Sequence, residues 1–460
     1  MKQPNILILL ADDQRFDTIR ALGNAAIETP NLDALAADGV SFTQAHIQGG
    51  TVGAVCMPSR AMLHTGVDLF HLEDHGQTIP PDHRLMGEVF QEAGYETFGT
   101  GKWHNGPASY ARSFTNGAEI FFGGMNDHWN VPAQSFDPTG AYESRIRGCN
   151  DAFHSNASTN YIADHLAPGK HSTELFSDAT VRFLREERDS AKPFLAYVAY
   201  MAPHDPRTMP DRFKEMYDPD SIDLPPNFMH QHPIDTGALT IRDEVLAGFP
   251  RDPAEIRRHI AEYYAMISHL DSEIGRIIEA LKDEGEWENT IVVFSGDNGL
   301  AVGQHGLMGK QNVYDHSMRV PLIVRGPGVQ SDVRDDRFVF ISDLFPSLCE
   351  LLELETPGSC EAVSFAGALR GGEATPGAGG SSGREELLLT YGDGVRGLRQ
   401  GEFKLIRYET TPEPVEQLFC VADDRWELKN LIGDPDHEPR LVQMRERLRA
   451  LRRAAGDPGS

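Results

Sequence analysis

Four short runs of consecutive apolar residues punctuate the chain: Ile6–Ala11, Phe194–Tyr200, Ile291–Phe294 and Pro321–Val324. Each is too short for a buried helix and too uniformly apolar for a strand with one wet face. Each therefore predicts a strand covered on both sides, as in a parallel sheet. Between the runs, apolar positions recur every three or four residues, the period of a helix face. Thr29-Pro30-Asn31-Leu32 opens one helix, with Leu32, Leu35 and Ala36 on one side and Asp38-Gly39 as its stop. Arg84–Ala93, stopped by Gly94, predicts a second. Ser172–Arg188 predicts a third, capped by Ser172 or Thr173, with Leu175, Phe176, Val181 and Leu184 inward. Asp252–Asp283 is the longest, and Ile256, Ile260, Tyr263, Ile267, Leu270, Ile274, Ile277 and Leu281 form its apolar stripe. Strands alternating with helices predict an α/β fold: a large mixed, mostly parallel sheet sandwiched by helices.

The periodicity lapses in two places. From about 105 to 170 the chain is rich in Gly, Asn, His and aromatic residues, and it predicts a long ordered loop region. Gly371–Gly383 (GGEATPGAGGSSG) predicts a flexible loop or linker. Beyond it, short alternating segments at Glu386–Tyr391, Gly394–Arg399, Phe403–Tyr408 and Glu416–Cys420 predict an antiparallel sheet, followed by a helix over Asp436–Arg453. The expected organisation is a catalytic domain at 1–370, a linker at 371–383 and a small α+β subdomain at 384–460.

Charge narrows the function classes. The 460 residues carry 42 Lys and Arg against 69 Asp and Glu, a net charge of −27. No basic run precedes Arg445–Arg453, which argues against a nucleic-acid partner. An anionic substrate would need local positive charge at its site. The five cysteines are scattered, which argues against a disulfide framework or a thiolate zinc site. Ile6–Ala11 is too short for a membrane span or a signal-peptide core. The expected location is therefore cytoplasmic, or periplasmic or secreted if a leader was removed.

The candidate chemistry sits at strand ends, where open α/β sheets bind ligands. Asp12-Asp13 follows the first apolar run, and Asp297-Asn298 follows the third. Four oxygen donors at matching strand ends suit a hard cation, Ca²⁺ or Mg²⁺. Cys56 follows a Gly-rich loop at the start of a predicted helix, with Arg60 one turn on. A thiol at a helix N-terminus faces bound anions, and an arginine there pairs with the same anion.

Cys56-x-Pro58-Ser59-Arg60-x-x-Leu63-x-Thr65-Gly66 resembles the signature of the type I, formylglycine-dependent sulfatases of the alkaline-phosphatase superfamily. Other segments are similar in order. They are Pro4–Asp13, Thr29–Ala36, Gly99-Thr100-Gly101-Lys102-Trp103-His104, Ala202-Pro203-His204, Ser295–Gly299, Gly309-Lys310, and Trp426–Leu431 with Asp434-Pro435. The resemblance runs from about residue 3 to 440 and implies an alkaline-phosphatase-like fold. It further implies that a maturation enzyme oxidises Cys56 to Cα-formylglycine, whose hydrated gem-diol is the nucleophile. Asp12, Asp13, Asp297 and Asn298, with position 56, would hold one Ca²⁺, with Mg²⁺ as the alternative. Arg60, Lys102 and Lys310 would surround the sulfate. His104 would orient or deprotonate the diol, and His204 would protonate the leaving group.

The expected reaction is hydrolysis of a sulfate monoester, either a sulfated carbohydrate or an aryl sulfate, with release of inorganic sulfate. His128, Trp129 and His305 are the candidate substrate-binding residues. Two alternatives stand beside this reading. A phosphonate monoester or phosphodiester hydrolase would use the same signature on the same tetrahedral geometry. A non-catalytic binder of sulfated glycans would differ in leaving Cys56 a thiol. The expected partners are the ester substrate and the maturation enzyme, with no membrane, and homo-oligomerisation is left open.

Overall fold

A computed structural model describes residues 3–149, 156–372 and 383–459. Most of the expected linker, residues 373–382, lies outside the described residues. The four apolar runs do form strands, and four more join them. In chain order the strands are β1 (Asn5–Ala11), β2 (Val40–His46), β3 (Glu96–Lys102), β4 (Asn116–Phe121), β5 (Phe194–Ala199), β6 (Thr290–Gly296), β7 (Leu322–Arg325) and β8 (Val333–Phe340). They build one eight-stranded sheet in the order β8-β2-β7-β6-β1-β5-β3-β4. Only β7 runs against its neighbours, β6 and β2. The other pairings are parallel.

β1, β5 and β6 occupy the middle and are buried along their whole length. Their alternate residues feed two cores: Ile6, Ile8 and Leu10 face one layer of helices, Leu7, Leu9 and Ala11 the other. The principal helices are α1 (Pro30–Ala37), α2 (Cys56–Thr65), α3 (Ser172–Arg182), α4 (Pro253–Asp283) and α5 (Glu438–Ala454). Asp252 caps α4, accepting from the N–H groups of Ala254 and Glu255 at 2.9 Å. The cap of α3 is His171, whose Nδ1 accepts from Thr173 N at 3.2 Å, and not Ser172 or Thr173. Ser172 already lies inside the helix, and its hydroxyl bonds His128. The helix expected over Arg84–Ala93 narrows to Met86–Glu92.

The stretch 105–170 carries more regular structure than its composition suggests. It holds a helix, Pro107–Ser113, and two antiparallel ribbons, Asn130–Ala133 with His165–Pro168 and Arg145–Cys149 with Ser158–Ile162. Arg145–Cys149, Ser158–Ile162 and His165–Pro168 are exposed or half-buried and need not be apolar, and the largely buried Asn130–Ala133 is only four residues long, so no hydrophobic period marks them.

The C-terminal segments form the expected antiparallel sheet: β9 (Glu386–Tyr391), β10 (Val395–Gln400), β11 (Phe403–Tyr408) and β12 (Val415–Cys420). Leu441, Met444 and Leu448 of α5 pack on Leu398, Leu405 and Leu418 of this sheet. β9 also pairs in parallel with Gly49-Gly50, just before the signature helix. Gly49 has φ +102°, and a Cβ there would meet the Thr390 carbonyl oxygen at 1.9 Å, so only glycine admits this junction. A buried ion-pair bridge secures the same junction. Lys404 Nζ on β11 lies 2.8 Å from both Asp315 Oδ1 and Glu427 Oε1.

Candidate active site

The site grows out of the register of β1 on β6. Ala11 lies opposite Gly296, so the chain leaves both strands side by side. Asp297 N donates to the Ala11 carbonyl at 3.0 Å, and Asp13 N donates to Asp297 Oδ1 at 3.1 Å. Asp13 has φ +67°, a strained conformation for a residue with a Cβ. Asn298 Nδ2, donating to Asp13 Oδ1 at 2.6 Å, and Tyr263 OH, donating to the Asp13 carbonyl at 2.5 Å, hold it there.

α2 places Cys56 and Arg60 one turn apart at this edge, and both are buried. Arg60 Nε donates to Asp297 Oδ2 at 2.8 Å and its Nη1 to the Lys102 carbonyl at 2.7 Å. Lys102 arrives through a bulge. The pairing of β3 with β4 shifts register between Thr100 and Gly101, and Gly101 takes φ +85°. Lys102 Nζ then pairs with Asp12 Oδ2 and lies 3.5 Å from Cys56 Sγ. His104 Nδ1 stands 3.4 Å from the same sulfur. Lys310 Nζ lies 2.5 Å from Asp13 Oδ1. His204 Nδ1 donates to the Asp205 carbonyl at 2.8 Å, and its Nε2 faces Asp13 Oδ2 at 3.6 Å. All ten residues expected in catalysis or metal binding therefore converge, although they span positions 12 to 310 of the sequence.

Burial dominates the electrostatics. It works to raise the Asp12 carboxyl, yet Lys102, His204, Arg60 and Lys310 together hold it far below the usual range. Burial and the neighbouring Asp12 raise Asp297. Burial also raises the Cys56 thiol, against the pull of Lys102 and Lys310. Burial and then Lys102 push His104 well down, which leaves a neutral ring. Burial opposes the charges on Lys102 and Lys310, but Asp12 and Asp13 outweigh it and keep both protonated.

The donor set fits a divalent cation. Asp12 Oδ1 and Asn298 Oδ1 are buried and accept no hydrogen bond from the protein. Carboxylate oxygens of Asp12 and Asp297 lie within 4.8 Å of each other and of Cys56 Sγ. A buried oxygen without a donor is costly, and coordination to a hard cation removes that cost.

The three candidate substrate residues have partners elsewhere. His128 is fully buried, accepting at Nδ1 from Ser172 Oγ at 2.6 Å and donating from Nε2 to the His204 carbonyl at 3.0 Å. Trp129 is half-buried, edge-on to His171 with centroids 5.1 Å apart. His305 stacks on Tyr314 at 4.0 Å and meets Asn227 Nδ2 through Nε2 at 3.1 Å.

Sequence reasoning did not single out Asp205, which lies under His204 and pairs with Arg242. Nor did it find the tether from Tyr263, which read as one more apolar position on its helix. The Asp205-Pro206-Arg207 segment next to His204 was the available signal. These residues and Arg242, Asn126, Asp127 and His259 border a cavity of about 640 Å³ beside the cluster.

Strands ending on paired acids, a buried cysteine at a helix start and a ring of lysine, arginine and histidine define an anion-ester hydrolase of the α/β type. The sulfatase family model matches residues 4–354, and the model for the C-terminal part of N-sulphoglucosamine sulphohydrolase matches 303–454. The chain belongs to the sulfatase family and is a sulfuric ester hydrolase. It is 28% identical to an ulvan-active sulfatase of Formosa agariphila, over 95% of this chain and 78% of that one. It is 23% identical to an N-acetylglucosamine-6-O-sulfatase of Bacteroides thetaiotaomicron, over 97% and 86%. Its fold matches a phosphonate monoester hydrolase of Agrobacterium radiobacter with a TM-score of 0.75, at 23% identity and 98% and 96% coverage.

Proposed function

We propose that this chain removes sulfate from a sulfated carbohydrate, with a Cα-formylglycine made from Cys56 as nucleophile and one Ca²⁺, or Mg²⁺ in its place. Asp12, Asp13, Asp297 and Asn298 would hold the ion. The observation that carries the reading is the pair of donor-less oxygens, Asp12 Oδ1 and Asn298 Oδ1, beside the buried residue 56. When bound, the cation would make an adjacent hydroxyl more acidic and draw charge from ester oxygens.

The side chains have distinct tasks. Lys102 and Lys310 face position 56 from two sides and balance charge that builds on the transferring group. Arg60 holds Asp297 and the strand carrying Lys102, which fixes the frame. The neutral His104 ring offers Nδ1 to a proton on residue 56. His204 carries its Nδ1 proton on the Asp205 carbonyl, so Nε2 is the atom that gives a proton to the leaving oxygen. The chain divides, on this reading, into a catalytic part at 1–370 and a smaller part at 384–460 joined by 371–383.

Carbohydrate is favoured because the curated relatives include enzymes named for ulvan and N-acetylglucosamine-6-O-sulfate. A cavity bordered mostly by charged and polar side chains, together with Tyr161, also lies beside His204. The second reading, phosphonate ester hydrolysis, is favoured by the structural likeness to the Agrobacterium enzyme. A panel of mono- and oligosaccharide sulfates run beside an aryl sulfate and an aryl phosphonate separates them by kcat/KM. Faster phosphonate turnover would reverse the choice. Mass analysis of the peptide containing residue 56 from the native host tests the nucleophile, since an unmodified thiol there would remove it.

A further inference from the structure

Helices α3 and α4 pack against each other on one face of the large sheet, through Leu175, Phe176 and Ala179 on one and Leu270, Ile274 and Ile277 on the other. Three side chains meet at this junction. Glu174, His269 and Glu273 each place one ligand atom within 4.8 Å of the other two. His269 and Glu273 are four residues apart on α4 and so share a face. Glu174, in the first turn of α3, reaches across to them.

His269 is 0% exposed, and neither of its ring nitrogens makes a hydrogen bond. Native interiors rarely leave such a group unsatisfied. Its Nε2 faces Glu174 Oε1 at 3.6 Å, too far for a hydrogen bond. Two atoms bound to one tetrahedral ion at about 2.1 Å stand roughly 3.4 Å apart, close to that separation. Glu174 has no lysine or arginine partner among the described residues. Arg276 donates to Glu273 Oε2 at 2.5 Å but also to Asp178 at 2.6 Å, so its charge is shared. Glu174 is 28% exposed, which gives an ion a way in from solvent.

We propose that Glu174, His269 and Glu273 bind a second divalent ion, of the Zn²⁺ class, independent of the cation expected at Asp12, Asp13, Asp297 and Asn298. One imidazole and two carboxylates suit a borderline four-coordinate ion, with water as the fourth ligand. They offer too few oxygens for Ca²⁺, which takes six to eight. The ion clamps α3 to α4. It also firms the ground under the catalytic loop. The His269 ring packs on His171 at 4.8 Å, His171 stacks on His128 at 5.0 Å, and His128 donates to the carbonyl of His204.

The test is equilibrium dialysis of the full chain against Zn²⁺ in excess Ca²⁺, with metal counted per chain. Visible spectra of the Co²⁺-loaded protein serve as the second readout. Glu174→Gln keeps the shape of a half-buried side chain, and His269→Gln removes the central ligand. Cys56→Ala removes the thiol, which is the rival Zn²⁺ ligand. The expected result is one Zn²⁺ per chain that survives Cys56→Ala, weakens roughly tenfold or more in Glu174→Gln and disappears in His269→Gln. Absence of bound Zn²⁺, or Zn²⁺ that follows Cys56 and ignores Glu174, would overturn the inference. Neither result depends on which ester the enzyme cleaves.

Discussion

His204 and Lys102 show how single side chains divide the work. On the proposed mechanism His204 protonates the leaving oxygen, so its removal should matter in proportion to how badly that oxygen needs a proton. His204→Gln is expected to lower kcat/KM by about 10²- to 10⁴-fold for a sugar or alkyl sulfate, and much less for a nitrophenyl sulfate. Equal losses on both substrates would remove His204 from the acid role. Lys102→Met deletes a buried cation beside residue 56 and should cost about 10²- to 10³-fold in kcat, read from steady-state kinetics with folding checked by circular dichroism. At this scale the sequence was most informative where residue type and spacing were both unusual: the Cys56–Gly66 run, and acids directly after apolar strands. It was silent on Asp205 and Tyr263. An aspartate beside a proline reads as a turn, and a tyrosine in an apolar stripe reads as core. Only the fold shows that one supports His204 and the other grips the Asp13 backbone.

The elements explain why such residues stay in place. α1 has no capping bond from its own N-cap residue: the Thr29 hydroxyl accepts from no helix N–H and donates to Asp33 Oδ1 at 3.0 Å. Asp271 of α4 does the job from outside, accepting from Leu32 N at 2.7 Å and Asn31 N at 3.1 Å. Burial raises the Asp271 carboxyl from 3.8 to about 6 despite those bonds. A carboxyl raised on folding favours the folded state fully below pH 3.8, and that advantage is lost as pH climbs through about 6. In thermal melts the native chain should therefore lose stability relative to Asp271→Asn as pH rises from 4 to 7, and a gap independent of pH would refute the shift. Between the two sheets, Lys404 is the nearest positive partner of both Asp315 and Glu427, at 2.8 Å from each, with Arg319 Nη1 farther from Asp315 at 3.5 Å. Lys404→Met should cost about 3–5 kcal/mol of stability by denaturant unfolding, because it leaves two carboxyls buried together. The central strands were legible because burial on both faces demands unbroken apolar runs. β2 and β8 were not, since a strand away from the centre of the sheet tolerates Gln, Arg and Asp on one side.

Over the whole molecule, the net charge of −27 works against an anionic substrate. Within the cluster, three cations face three carboxylates, so a bound divalent ion would decide its sign. Two outcomes follow. Raising ionic strength should increase kcat/KM for a multiply sulfated oligosaccharide by screening the surface, the reverse of a steered encounter. Stripping divalent ions with a chelator should abolish turnover and lower Tm, with both restored by Ca²⁺. The burial of Cys56 also has a meaning in time. In the folded chain its sulfur is walled in by Lys102, His104, Asp297 and Lys310, and no large catalyst reaches it. During synthesis Asp297 and Lys310 arrive late: Asp297 is made 241 residues after Cys56. At about 5–20 residues per second that leaves roughly 12–50 s in which the thiol is open to another enzyme. If Cys56 is converted to formylglycine as proposed, maturation would be a race between oxidation of one cysteine and completion of the sheet that hides it.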